Sequence, residues 1–287
     1  MDYLASVSAH ILLYFIFIAG LGKYILGKSS VWSIGHIAFW GLGGLVVGSL
    51  TVDFGVNAWI ALLASVLFGI IISFLIGLAS LRLDGDYFVI LSVSLSELIR
   101  VIAIEYRGPG GFNGIIRPTF FGVSLENDWL FIVLALCPFV IATIIITLRL
   151  EQLHLNRIFL LVKENEILAK SFRYNPVYYK ILIFCIGSFF ATLSGGLYSL
   201  FIRGTDPSTT TLYQGVLLFA ISLLSGINTL KGVLLGALLF VAAPRMLEYI
   251  ITAPGSATYS YNIIQLVYGI LLLIVVLLTS RVPVYQK

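Results

Sequence analysis

The sequence predicts an all-α fold, a polytopic bundle of transmembrane helices. Three observations carry that prediction. Of the 287 residues, 60% are hydrophobic and 10% charged, where a soluble domain carries about 25% charged residues. The apolar runs are long and continuous, without the strict alternation of a strand. Within the hydrocarbon core every backbone N–H and C=O must be paired internally, and runs of this kind do so as helices of about 20 residues.

About nine spans follow in order: Tyr3–Leu21, Val31–Leu50, Asn57–Ala79, Asp86–Ile104, Trp129–Leu148, Val177–Ile202, Thr211–Ser225, Gly232–Ile251 and Tyr259–Thr279. Thr211–Ser225 is short and Asp86–Ile104 carries charge, so either also suits a re-entrant segment lined by protein or water. Asp2 precedes the first run, with no basic residue and no small-residue cleavage site beside it. That run therefore reads as a retained span rather than a removed signal peptide. The prediction is one transmembrane domain over 1–287, interrupted by a cytoplasmic loop at 150–176.

The basic residues orient the bundle. Placing Arg149–Lys180 in the cytoplasm puts Lys23, Lys28, Arg82, Arg149, Arg157, Lys163, Lys170, Arg173, Lys180, Lys231, Arg281 and Lys287 inside. Only Arg100, Arg107, Arg117, Arg203 and Arg245 fall toward the outer face. Such an excess marks the cytoplasmic side. It also accounts for the formal charge of +4 without invoking nucleic acid.

Inside the central loop, Ile158, Leu161, Val162, Ile167, Leu168 and Phe172 recur at helical spacing. Asn156 stands at the start as a cap and Pro176 as a stop. This predicts one amphipathic helix over Arg157–Phe172, either lying on lipid headgroups or docking a cytoplasmic partner. Gly35, Gly41, Gly43, Gly44 and Gly48 crowd the second span, and Gly226, Gly232 and Gly236 the entry to the eighth. Small residues let helix backbones approach closely in lipid, and paired glycine-rich segments in two halves also mark transport paths. Pro138 and Pro244 predict kinks.

Enzyme chemistry finds little support. Gly22-Lys23-Tyr24-Ile25-Leu26-Gly27-Lys28-Ser29 fits the phosphate-loop pattern, but it follows a membrane run rather than a strand and reads as chance. Its lysines are expected to act as interfacial anchors. His10, His36 and His154 are far apart, Cys137 and Cys185 lie inside apolar runs, and neither metal spacing nor a nucleophile elbow appears. No metal or cofactor is expected. Glu97 and Arg100, and again Arg245 and Glu248, are spaced to pair on one helix face. Each pair reads either as local neutralisation near the outer interface or as the lining of a solute path.

Four blocks carry a resemblance to a known family. Ser33-Ile34-Gly35-His36-Ile37-Ala38-Phe39 with Gly41 forms a glycine-rich block, and Leu81-Arg82-Leu83-Asp84-Gly85-Asp86-Tyr87-Phe88 is the most specific of the four. Gly110-Gly111-Phe112-Asn113-Gly114 is an outer turn, and Val162-Lys163-Glu164-Asn165-Glu166-Ile167-Leu168-Ala169 lies in the cytoplasmic loop. In these the chain resembles LivM-type permeases of branched-chain amino acid ATP-binding cassette (ABC) importers, over roughly residues 30 to 280. It departs from them at Phe172, Ser225 and Asn228, where that family favours glycine.

The resemblance implies a type II ABC importer-like permease in a bacterial or archaeal plasma (inner) membrane. Its implied partners are a second permease subunit, two cytoplasmic ABC ATPase subunits, which hydrolyse the ATP, and an extracytoplasmic solute-binding protein. Lys163, Glu164, Asn165, Glu166, Ile167, Leu168, Ala169 and Phe172 would couple to the ATPase. Gly35, His36, Gly41, Tyr87, Glu97, Arg100 and Asn113 are candidates for the translocation path. Importers of urea and short-chain amides share the architecture. An ion-coupled secondary transporter would instead need a titratable group near the bilayer midplane, and Glu97 is the residue of that character.

Overall fold

The computed structural model describes residues 3–29, 33–80, 85–120, 122–224, 229–251 and 269–270. In chain order the helices are α1 (Tyr3–Leu26), α2 (Ile37–Asp53), α3 (Ala58–Ser80), α4 (Gly85–Arg107), α5 (Asp128–Gln152), α6 (His154–Glu164), α7 (Glu166–Ser171), α8 (Pro176–Ile202), α9 (Leu212–Leu224) and α10 (Leu230–Ile251). A two-residue hairpin, β1 (Thr119–Phe120) against β2 (Val123–Ser124), sits between α4 and α5.

Among the described residues five helices, α1, α3, α4, α5 and α8, are long and apolar enough to cross a membrane. Shorter apolar stretches run over α2, Leu212–Leu223 of α9 and Leu230–Ala242 of α10. The helical bundle matches the expectation, whereas the expected count of about nine spans is not: five helices among the described residues are span-length and the others are shorter. The expected ninth span, Tyr259–Thr279, lies outside the described residues but for 269–270. Leu81–Asp84, Ser225–Asn228 and the side chains of Arg245 and Glu248 lie outside them too.

The core is built around α8. Asn175 caps it by accepting a hydrogen bond from the Val177 N–H at 3.1 Å, and Pro176 follows at the first turn, where its missing N–H costs nothing. Pro176, expected as a stop, thus starts the central helix, while α7 already ends at Ser171. α1, α2 and α3 pack around α8, and α10 packs on the other side of α1.

Lipid offers no hydrophobic drive for helices to associate, so close van der Waals packing must hold them. The α2–α8 contact is an example. A Cβ on Gly43 would stand 2.2 Å from the Thr192 carbonyl oxygen, and one on Gly195 would stand 2.0 Å from that of Trp40. Gly43 and Gly44 of the second span thus face α8, whereas Gly35 lies against Ser92, Gly41 against Thr210 and Gly48 against Phe112. Ser194 ties α8 to α1 instead, by donating to the Leu13 carbonyl.

Helix interiors deviate where the sequence demands it. The last turns of α1 (Ala19–Leu26) and α2 (Ser49–Asp53) and the Ile132–Leu136 turn of α5 are π-helical. The last precedes Pro138, whose ring cannot accommodate the ordinary α ladder, so the expected kink takes the form of a π turn.

Charged residues pair at both ends of the bundle. At one end Arg107 pairs with Asp53, Arg203 with Glu126 at 2.6 Å, and Arg117 with Asp128 at 2.7 Å. At the other, Lys23 pairs with Glu151 at 2.9 Å and Lys180 with Glu166 at 2.5 Å. Arg117 closes the end where Arg107 and Arg203 lie. It is fully buried, donates to the Phe201 carbonyl at 2.7 Å and the Glu126 carbonyl at 3.0 Å, and lies between the Phe131 and Phe201 rings. The Arg117→Met variant strands Asp128 and these carbonyls and is expected to cost about 3–5 kcal/mol. Gly43→Leu overpacks the α2–α8 seam and is expected to cost on the order of 3 kcal/mol. Denaturation midpoints in detergent micelles check both, and a variant that unfolds like the parent would remove its residue from the packing account.

Candidate functional site

Three features stand out from the packed core: a short protruding helix, a recess toward the outer end, and a charged pair on the bundle surface.

The protrusion comes from the expected amphipathic helix, which is two helices rather than one. Asn165 adopts an extended backbone (φ −154°, ψ 102°) and its side chain accepts from the Leu168 N–H at 3.0 Å. A short polar side chain gains more by capping a new helix than by continuing an old one. Asn156 is correspondingly not a cap. It lies inside α6 and donates to the Glu151 carbonyl at 3.1 Å.

The break divides the apolar residues between two surfaces. Ile158, Phe159 and Val162 of α6 are buried, as is Ala169 of α7. Ile167, Leu168 and Phe172 are 78%, 44% and 62% exposed. Among the proposed coupling residues Glu164 and Asn165 are exposed, while Glu166 pairs with Lys180. Lys163 points inward instead, donating to the Leu26 carbonyl at 3.1 Å and the Gly27 carbonyl at 2.8 Å. Its ammonium thereby satisfies the orphan carbonyls at the C-terminal end of α1. Burial pushes the Lys163 pKa below the usual lysine range, and the neighbouring Glu164 carboxylate opposes that shift.

α7 ends in a Schellman motif. The Tyr174 N–H donates to the Ala169 carbonyl and the Arg173 N–H to the Lys170 carbonyl. The position that wants a left-handed backbone is Arg173, at φ 64°, one residue beyond Phe172.

The recess lies between α2, α4, α8 and the 3₁₀ turn Pro207–Thr210. It is partly open, has a cavity volume of about 30 Å³ and is lined by Trp40, Gly41, Gly44, Ile99, Tyr198 and Asp206 among others. Trp40 is held in place by Tyr14, which stacks on it at 5.1 Å between centroids. Just outside, Asn113 bridges to Gly204, and the Thr205 hydroxyl accepts from the Phe112 N–H at 3.0 Å.

Of the path candidates, Gly41 alone lines this recess. Gly35 instead permits close packing, since a Cβ there would stand 1.7 Å from the Ser92 carbonyl oxygen. His36 is fully buried, with Nδ1 2.8 Å from the Ser33 hydroxyl and its ring against Phe184, so it packs the core. Tyr87 is 69% exposed on the outside of α4. Glu97 and Arg100 form their expected pair, with Arg100 Nε 3.0 Å from Glu97 Oε1. Because α4 extends to Arg107, they lie at mid-helix on the bundle surface rather than near its outer end.

Asp206, Tyr198 and Arg117 were missed by the sequence reading. The aromatic and the acid sit in segments with no motif. Arg117 stands in a turn-rich stretch as one of the outer basic residues, with no sign of its burial.

A bundle of span-length helices packed through glycine contacts, with a mainly apolar, partly open recess and a partly apolar helix at one end, is the construction of a membrane transport subunit. The sequence matches, over residues 7–276, the family described as branched-chain amino acid transport system / permease component, and the chain belongs to that family. It is similar to the high-affinity branched-chain amino acid transport system permease protein LivM of Salmonella typhimurium. The identity is 26% over 258 residues, covering 80% of this chain and 61% of that protein. The same figures hold for LivM of Escherichia coli K12. A probable LivM of Methanocaldococcus jannaschii is 27% identical over 226 residues, 77% of this chain and 62% of that one. The chain thus spans 61–62% of the length of the curated relatives it matches. No solved structure matches.

Replacing Arg173 by glycine relieves the left-handed backbone and is expected to stabilise by about 1 kcal/mol. Asn165→Ala removes the α7 cap and is expected to cost about 1 kcal/mol. Amide exchange over residues 154–176 checks both, and unchanged protection in either variant counts against the cap assigned to it.

Proposed function

We propose that the chain is a transmembrane permease subunit of an ABC importer, carrying branched-chain or other amino acids across the plasma (inner) membrane of a bacterium or archaeon. The observation that carries this reading is the division of the 154–176 segment. α6 is fastened to the bundle, while α7 presents Ile167, Leu168 and Phe172 outward. Apolar side chains held out at the polar end of a membrane protein mark a docking surface. In this reading two cytoplasmic ABC ATPase subunits supply ATP hydrolysis, and one of them grips α7.

The lever has a defined route inward. A displacement of α7 moves α6, and Lys163 transmits it to the end of α1, which packs against the central helix α8. Transport follows only if the ATPase contacts differ between the two states of the lever.

The recess suits the cargo class. Trp40, Ile99 and Tyr198 offer an apolar wall for an aliphatic side chain, and Asp206 with the Ser199 hydroxyl offers acceptors for an ammonium group. At mid-membrane an exposed ion pair is costly against lipid. The α4 face bearing Glu97 and Arg100 is therefore assigned to a second permease subunit, and the Gly108–Gly114 turn at the outer end to an extracytoplasmic solute-binding protein.

The double variant Ile167→Ala, Leu168→Ala is expected to lower solute-stimulated ATP hydrolysis of the reconstituted complex about tenfold, the scale of losing two apolar anchors, with membrane insertion retained. Undiminished stimulation would exclude α7 as the docking element. Gly41→Leu fills the recess and is expected to reduce uptake about tenfold or more while the complex still assembles. Normal uptake would move the path elsewhere.

A further inference from the structure

The cytoplasmic end of α1 holds more buried positive charge than its neighbours neutralise. Lys23 and Lys28 are 2% and 5% exposed, contrary to the expectation that they serve as interfacial anchors, and Lys163 arrives from α6. Lys23 takes the carboxylate of Glu151, and Lys163 is engaged by the Leu26 and Gly27 carbonyls. The Lys28 ammonium lies 5.2 Å from the centroid of the Tyr24 ring and has no hydrogen-bond partner among the described residues. The hydroxyls of Tyr24 and Thr147 lie side by side and interact with each other, and neither meets a further partner within hydrogen-bond geometry among the described residues.

An ammonium enclosed in this way is strongly penalised unless an anion meets it. Burial accordingly pushes the Lys28 pKa below the usual lysine range, Lys23 adds to the push and Glu151 opposes it. Glu151 is already shared with Lys23. A phosphate group would supply what is missing, with anionic oxygens for the ammonium groups and acceptors for the two hydroxyls.

We propose that Lys23, Tyr24, Lys28 and Thr147 form a site for one anionic phosphate group, at the joint where α1 and α5 meet, with Lys163 of α6 fastened to the adjacent Leu26 and Gly27 carbonyls. The phosphate-loop spelling of residues 22–29 plays no part in it. That segment is helical through Lys28, so its N–H groups serve the helix and recognition falls to side chains. The site needs neither an ATPase partner nor a solute, so it stands independently of the proposed function. Its position at the end of the bundle rich in lysine places it at headgroup depth, where acidic lipids supply phosphate, although a soluble phosphate offers the same chemistry.

The test uses the full chain in nanodiscs of phosphatidylcholine, with or without phosphatidylglycerol, and in a separate arm inorganic phosphate titrated into the phosphatidylcholine discs. Thermal midpoints and lipid retention by native mass spectrometry are read for the parent, Lys28→Met, Tyr24→Phe and the control Lys180→Met. Phosphatidylglycerol is expected to raise the midpoint of the parent and of Lys180→Met, and not that of Lys28→Met. In phosphatidylcholine alone Lys28→Met is expected to match or exceed the parent, because an uncompensated charge is gone. Tyr24→Phe keeps the charge and is expected to weaken retention about fivefold, which serves if Lys28→Met does not fold. A rise with inorganic phosphate instead assigns the site to a soluble ligand. No rise with either anion, or an equal rise in Lys28→Met, overturns the proposal.

Discussion

The backbone-to-backbone approach of α2 and α8 is the constraint on which the rest depends. Gly43 lies against Thr192, and Gly195 against Trp40, at separations that leave no room for a methyl group. In lipid, where apolar side chains gain nothing by leaving their solvent, that intimacy is what distinguishes an assembled bundle from separate helices. It also fixes Trp40 and Tyr198, which carry two walls of the recess. The site is thus a by-product of the seam: the same glycines that bring the helices together leave a gap where the next residues along diverge.

The two ends of the bundle are finished by different physics. One end is locked by Arg117, a planar cation whose bonds go to two carbonyls and a carboxylate while two aromatic rings cover its faces. A fork held this way has one geometry. The other end is held by lysines, which are flexible point charges, and one of them bonds a helix terminus rather than a side chain. A joint made of such contacts can shift without breaking a rigid fork. In the proposed function, that difference suits an end that receives force and an end that does not.

Much of the fold was legible because hydrophobic run length is a strong signal. The central helix Val177–Ile202 was placed correctly within a residue, and the paired charges Glu97–Arg100 were found by spacing alone. The cytoplasmic segment was legible as amphipathic, but its break was not. Asn165 sits in a continuous helical pattern, and only the choice of its side chain to cap α7 splits it. The recess was legible only at Gly41. Asp206 and Tyr198 come from segments far from any motif, and their convergence is a tertiary fact that no local pattern encodes. The buried lysines were misread for a related reason. Burial depends on which neighbours arrive, and Glu151, Thr147 and Lys163 arrive from more than a hundred residues away.

The interruption at Asn165 has an evolutionary corollary. Because α6 is sewn to the bundle and α7 is only six residues long, the grip proposed for α7 amounts to a handful of side chains on a separately capped stub. Natural selection can retarget such a stub to a different motor by rewriting Ile167, Leu168 and Phe172, with no compensating change in the hydrocarbon-embedded scaffold. Paralogues that share one engine among several cargoes would then be expected to keep the stub and diversify the vestibule.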